Sequence, residues 1–253
     1  VAPRLLPRME ADAVAILQAQ AERVGVTVNT SVKVGGVTEA DGRLQVTYEH
    51  DGAARTVTAD RVVNGAGRVA NVEDLDLDAA NVAHEGSNIA VDEYLRSTSN
   101  PAIWVVGDAL SNSPQLSPVA TYEGKIVGEN IVNGPRATAD YSALPASVYT
   151  IPAYSSVGLT EEQARGAGLN IRVSVNDMTG WFSGKSYAET AAWAKIMIDE
   201  DTDRIVGAHM IGHNGEDLIN LFVLAIRNGI TAADLKDTIF AYPTFSSDVK
   251  NMF

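Results

Sequence analysis

The chain has 253 residues, 45% hydrophobic and 20% charged, enough for a sizeable buried core in one large or two ordinary domains. Its net charge of −13 disfavours extended contact with nucleic acid or an anionic membrane, and the absence of cysteine excludes disulfides, thiolate metal sites and thiol nucleophiles. No apolar run is long enough to span a bilayer and no signal-peptide pattern stands at the start, so a soluble, cytoplasmic protein without a metal site is expected.

Val1–Pro7 reads as the exit from a strand. A helix is expected from Glu10 to Arg23, with Ala13, Ile16, Leu17, Ala21 and Val24 on one apolar face, and then a strand at Val26–Asn29. That order is the second half of a βαβ unit. From Ser31 the pattern changes to alternation: Val32, Val34 and Val37, a turn at Asp41-Gly42, Leu44–Tyr48, a turn at Asp51-Gly52, and a return over Arg55–Thr58. Asp-Gly between alternating apolar residues is a hairpin signal, so a small antiparallel meander is expected. Arg61–Asn64 reads as one more buried strand, running into Gly65-Ala-Gly67. Glycines after a strand suit close approach of a ligand or a plain tight turn, and both readings stand. Residues 71–87 are acidic and loop-like, and a short strand is expected over Asn88–Val91.

Ile103-Trp-Val-Val106 is apolar and mostly β-branched, which reads as a short strand buried on both faces. It ends in Gly107-Asp108, and a helix follows from Leu116-Ser-Pro to Val132. A strand, a turn presenting one carboxylate and a helix N-terminus are parts from which a cofactor site can be made. Asn133-Gly-Pro-Arg136 and the Pro145 region mark a domain boundary. Beyond it, antiparallel strands interrupted by helices are expected. Thr160–Arg165 has an N-cap and an acidic first turn, closed by Gly166 or Gly168. Strands are expected at Ile171–Val175, Ala191–Asp199 and Arg204–Ile211. An amphipathic helix over Glu216–Arg227, with Leu218, Ile219, Phe222, Val223 and Ile226 on one face, is capped by Gly229, and a shorter helix spans Thr231–Asp237. Leu221–Leu224, Phe240, Phe245, Met252 and Phe253 supply apolar surface either for a partner or for packing of helix on sheet.

Seven segments in register resemble the C-terminal portion of the pyridine nucleotide–disulfide oxidoreductases, the family of glutathione reductase, dihydrolipoamide dehydrogenase and mercuric reductase. They are Arg4–Arg8, Asn64–Arg68 with Asn71, Ile103–Ala109, Leu116–Lys125, Val157–Ala164, Arg204–Gly212 and Tyr242–Asp248. The resemblance implies an α/β plus α+β fold: Rossmann-like NAD(P)- and FAD-domain remnants at 1–70 and 71–143, then an α+β dimerisation domain with an antiparallel sheet at 144–253. It implies an FAD-dependent NAD(P)H oxidoreductase passing hydride from nicotinamide to flavin and on to an unidentified acceptor. Gly107 and Asp108 would meet the ribityl chain of FAD. Ser117, Pro118 and Val119 would bring a helix N-terminus to the flavin ring, where a reduced flavin carries negative charge. Gly65 and Gly67 would line the NAD(P) crevice. Arg4 and Arg8 are either solvated charges or ribose-side groups, which leaves NAD against NADP open. A homodimer through 144–253 is implied.

The departures from the family pattern are equally specific. Disulfide-reducing members carry His-Pro-Thr-x-Ser-Glu as a proton-transferring pair, and here those two positions are Tyr242 and Ser247. A phenol ordinarily titrates near ~10 and is a poor base at neutral pH. His50, His84, His209 and His213 read as structural or solvated. The family's Gly-rich turns for FAD and NAD(P) and its redox cysteine pair all precede the segments that show the resemblance. The expectation is therefore a piece of a longer enzyme, or alternatively a non-catalytic dimerisation and partial cofactor-binding module.

Overall fold

The computed structural model describes residues 2–253; Val1, at the expected strand exit, lies outside them. The chain forms two compact units: one combines the residues up to Val62 with Ser142–Phe253, and the other is Val63–Tyr141.

The first unit opens with α1 (Ala11–Arg23) and the expected meander of β1 (Lys33–Ala40), β2 (Arg43–His50) and β3 (Ala53–Ala59). Asp41, Gly42, Asp51 and Gly52 all hold positive φ, as two tight hairpin turns require. Three expectations fail in this stretch. Val24 is exposed at the C-cap of α1 rather than on its buried face, which consists of Ala13, Val14 and Leu17. Val26–Asn29 and Arg61–Asn64 form no ladder, and Val63 is 90% exposed. An apolar run marks a segment fit to be buried, but a strand also needs a neighbour to hydrogen-bond, and among the described residues neither segment has one.

The second unit contains β4 (His84–Glu85), β5 (Asn88–Ile89) and α2 (Ser117–Asn133) around Val72, Leu77, Val82, Leu95, Val105, Leu110 and Val127. The strand expected at Ile103–Val106 is reduced to one antiparallel bridge, Arg96 to Trp104, with the amide of Val105 donating to the Leu95 carbonyl at 2.9 Å. Val105 is buried in the core, and Ile103, Trp104 and Val106 pack against it half-buried.

The first unit resumes with β6 (Ala146–Val148), β7 (Tyr154–Gly158), α3 (Glu161–Gly166), β8 (Ile171–Asp177), α4 (Phe182–Ser186), β9 (Trp193–Asp199), β10 (Ile205–Ile211), α5 (Gly215–Asn228) and α6 (Ala232–Asp237). The five strands make one antiparallel sheet in the order β6-β7-β10-β9-β8. Alternation sorts β9 and β10 between its faces. Ala194, Ile196, Ile198, Ala208 and Met210 meet Leu218, Ile219, Phe222 and Ala225 of α5. Trp193 and Ile211 turn to Ala13 and Leu17 of α1. Phe222 and Met252 are fully buried and Leu221, Phe240 and Phe253 pack on the same core, so most of the apolar supply near the C-terminus is spent on helix-on-sheet packing. Gly207 lies against the Leu159 carbonyl and has no room for a Cβ.

Lys195 projects from β9 toward α1 and is 2% exposed. Its ammonium reaches Glu10 Oε1 at 2.9 Å, Asp12 Oδ2 at 2.7 Å and Glu161 Oε2 at 2.5 Å. Beside it, His209 Nε2 lies 2.9 Å from the Leu159 carbonyl, which can only accept, so Nε2 carries the proton and Nδ1 accepts from the Tyr154 hydroxyl at 2.8 Å. Burial pushes the His209 pKa down, so the ring is neutral in this network.

Lys195→Met should destabilise the chain by about 3–5 kcal/mol in urea unfolding, because it strips a buried cation from converging carboxylates. In the wild type, hydrogen bonds from Lys195 and then Arg165 hold the Glu161 carboxyl below its usual range, so its contribution is present above the unfolded pKa and lost as pH falls through the folded one. Burial works against the charge of Lys195, but its carboxylate partners outweigh burial and raise its pKa. That contribution is full below the unfolded lysine pKa and lost only as pH rises through the folded value. In the variant, three carboxylates within 4.8 Å of one another are relieved by protonation, so the deficit should shrink toward pH 5.

Candidate functional site

The Gly-Asp turn and the start of α2 are built from the residues of the second unit. Gly107 has φ +62° and a Cβ there would stand 3.0 Å from the Cβ of Ala120, so both backbone and packing require glycine. Its amide donates to Glu123 Oε2 at 2.6 Å. Glu123 is fully buried, and its other oxygen accepts the Ser113 hydroxyl and the Tyr141 hydroxyl, the latter at 2.7 Å. A buried carboxylate is tolerable only when its lone pairs are engaged, and three donors engage it here. Burial, and then the hydrogen bond to Glu123, pushes the Tyr141 phenol above its ordinary value, so Tyr141 stays a donor.

The clamp fixes the residues next to it. Asp108 stands exposed on the 3-10 turn Gly107–Ala109. Helix α2 begins at Ser117 with Leu116 as an extended N-cap, Pro118 in the first turn and no side-chain cap. The first amides of a helix have no intrahelical acceptor, so an uncapped N-terminus on a helix of 17 residues favours negative charge. Ser117 and Pro118 are exposed while Val119 is buried. Arg68 joins the two halves: Nη1 donates to Asp108 Oδ2 at 2.7 Å and Nη2 to the Gln115 carbonyl at 2.8 Å. Gly65 and Gly67 precede it in an exposed turn in which Asn64 Oδ1 accepts the Ala66 amide at 3.1 Å, and a Cβ on either glycine would meet nothing within 4 Å. Among the described residues, the glycines are linked to Asp108 through Arg68, which follows Gly67 in the chain.

Tyr242 and Ser247, in the first unit, make separate contacts. Tyr242 is 73% exposed with its ring 5.7 Å from that of Phe182. Ser247 is buried, and its hydroxyl donates to the Thr244 carbonyl at 2.6 Å. The buried carboxyl nearby is Asp248, which accepts from the Ser183 hydroxyl and is pushed above its usual range by burial. A cleft of about 590 Å³ lies beside them, lined by Phe182, Tyr187, Leu221, Pro243 and Phe245. His213 stacks on Tyr187 at 4.2 Å.

Glu123, Ser113, Tyr141 and the role of Arg68 are missed by the sequence reading. The signal for Glu123 was present: Val119, Glu123, Ile126, Val127 and Asn130 lie at helical spacing on the buried face of α2, so an acid stands in an otherwise core-facing stripe.

Two protein-family models match the chain: pyridine nucleotide-disulphide oxidoreductase over residues 1–124, and the pyridine nucleotide-disulphide oxidoreductase dimerisation domain over 144–253. An uncharacterized 19.7 kDa protein in a mercuric resistance operon of Staphylococcus aureus is 40% identical over 179 residues, 70% of this chain and 99% of its own length. Dihydrolipoyl dehydrogenase of Mycobacterium bovis is 31% identical over 253 residues, 99% of this chain and 54% of that protein. The HOCl-induced flavoprotein disulfide reductase RclA from Escherichia coli matches with a TM-score of 0.89 at 26% identity, over 99% of this chain and 57% of that one. The chain thus spans about half the length of the dihydrolipoyl dehydrogenases it matches. No helix among the described residues is long and apolar enough to cross a membrane.

Replacing Glu123 with alanine leaves the Gly107, Ser113 and Tyr141 donors without their acceptor and should cost about 2–5 kcal/mol in urea unfolding of the second unit. Gly107→Ala should cost about 1–3 kcal/mol through positive φ and the Ala120 contact. Wild-type midpoints in both variants would refute the clamp.

Proposed function

Because the chain belongs to the pyridine nucleotide-disulphide oxidoreductase family, we propose that it supplies one half of the FAD site of an NAD(P)H-dependent flavoprotein oxidoreductase, together with the domain through which that enzyme dimerises. On this reading residues 1–70 are the end of an NAD(P) domain, 71–143 the end of an FAD domain and 144–253 the dimerisation domain. The observation that carries the proposal is the Glu123 clamp, which sets an exposed carboxylate after Gly107 in the same compact unit as an uncapped helix start.

The donor set suits the cofactor. Asp108 would accept a hydrogen bond from a ribityl hydroxyl, and the amides at Ser117 and Val119 would favour the negative edge of the ring, with Pro118 fixing the first turn. Gly65 and Gly67, with open space at their Cβ positions, would let NAD(P) approach the backbone. FAD bound at this site would supply the redox centre for passing electrons from NAD(P)H to an acceptor. The chain's own residues bind and orient it. Tyr242, exposed, and Ser247, turned to a backbone carbonyl, form no acid–base couple, so this branch would not protonate a thiol leaving group as the His–Glu members do.

A second reading has its own observation. The staphylococcal relative is a 19.7 kDa protein matched over almost its whole length, so sequence of this kind is also found in a short chain. On that reading this chain is a dimerisation and partial cofactor-binding module with no turnover of its own.

Titration of the chain with FAD should show weak binding and no NAD(P)H oxidation, and Asp108→Ala should weaken binding by about 10- to 100-fold, the worth of one charged hydrogen bond. Stoichiometric FAD with steady NAD(P)H oxidation would reject the module reading; equal affinity of wild type and variant would reject the assignment of Asp108. Sedimentation equilibrium at micromolar concentration should show self-association, and a clean monomer would contradict the role given to 144–253.

A further inference from the structure

Arg68 binds no part of the cofactor in the reading of Asp108 and α2, yet it touches both ends of the loop that joins them. One nitrogen of its guanidinium bonds the Asp108 carboxylate at 2.7 Å and another bonds the Gln115 carbonyl at 2.8 Å, one residue before the N-cap of α2. The two side chains of the ion pair are 60% and 50% exposed, and exposed pairs add little to stability. The contact therefore matters for geometry more than for holding the fold. Glu123 fastens the Gly107 end of the loop from inside, and Arg68 fastens its outer side. Only Oδ2 of Asp108 is taken by Arg68, and no hydrogen bond to Oδ1 is formed among the described residues.

We propose that Arg68 is the positioning residue of this site, a strap that holds the Asp108 carboxylate at a fixed place relative to the start of α2, so that carboxylate and helix amides are presented to one polyhydroxylated, anionic ligand as a unit. The proposal rests on the assignment of FAD to this site. A planar fork can hold two acceptors at once, whereas an ammonium on a flexible stem is a point charge. The strap thus requires arginine, and charge alone does not replace it. Ordering the carboxylate before the ligand arrives removes a cost that binding would otherwise carry.

The test uses the full chain as wild type, Arg68→Lys and Arg68→Gln, with FAD as the probe. Both variants should weaken FAD binding by roughly three- to tenfold, the cost of re-ordering a side chain and its loop. Without FAD, both should speed amide exchange over residues 108–117 by a similar factor, with the urea midpoint unchanged. Wild-type affinity in Arg68→Lys would show that charge suffices and would overturn the strap, as would unchanged exchange in Arg68→Gln. A lowered urea midpoint in both variants would assign Arg68 to stability instead and overturn it too. If the wild type binds no FAD, the cofactor reading fails, and the ligand role of Arg68 fails with it. Normal wild-type binding with unaffected variants overturns the strap alone.

Discussion

The second unit depends on one buried carboxylate. Glu123 takes the amide of Gly107 and the hydroxyls of Ser113 and Tyr141, three donors from a turn, the loop after it and the end of the unit. Burying an ionised group costs several kcal/mol, which only full engagement offsets, so the three partners are held to their places as firmly as the acid is. Position is the product. Gly107 cannot leave, Ala120 is packed against it, and Asp108 must stand where the turn puts it. Asp108, Ser117 and Pro118 are exposed, and their order is set from inside.

The first unit has its own version of this device. Lys195 sits in β9 among Glu10, Asp12 and Glu161, tying the first turn of α1 and the start of α3 to the sheet. The carboxylates come from residues far apart in the chain, so the contact closes long loops as well as neutralising charge. A cluster of three acids resembles a cation site, and the lysine ammonium serves as its cation. The neutral His209, locked between Tyr154 and Leu159, fills the adjoining space without adding a charge.

The range of each interaction decides how much of it is legible in the sequence. The helices over Ala11–Arg23, Ser117–Asn133 and Gly215–Asn228 were readable because a 3.6-residue apolar period and, for the last, the closing Gly229 are local signals. The meander was readable because Asp-Gly turns fix hairpins within a few residues. Strands at Val26–Asn29, Arg61–Asn64 and Ile103–Val106 were misread for the opposite reason: apolar content states a preference for burial, while a ladder depends on a partner elsewhere. Helix α4, at five residues, is too short to show a period. The Gly-Asp turn and the helix start after it were legible locally, while the roles of Asp108 and Ser117 came from the family resemblance; their supports Glu123 and Arg68 came from neither, since a charged residue in a helix or after a glycine reads as surface until its partner is known. The pair at Tyr242 and Ser247 was located by resemblance alone, and the fold gives the two side chains different neighbours.

The central claim is that the turn at Asp108 and the start of α2 are two sides of one FAD site. It is tested most directly by following backbone amide resonances of the 253-residue chain as FAD is added. Shifts should be concentrated at Gly107–Ala109 and at Ser117–Ala120, growing together along one binding curve. Shifts confined to residues 144–253, or two groups that titrate with different affinities, would contradict it.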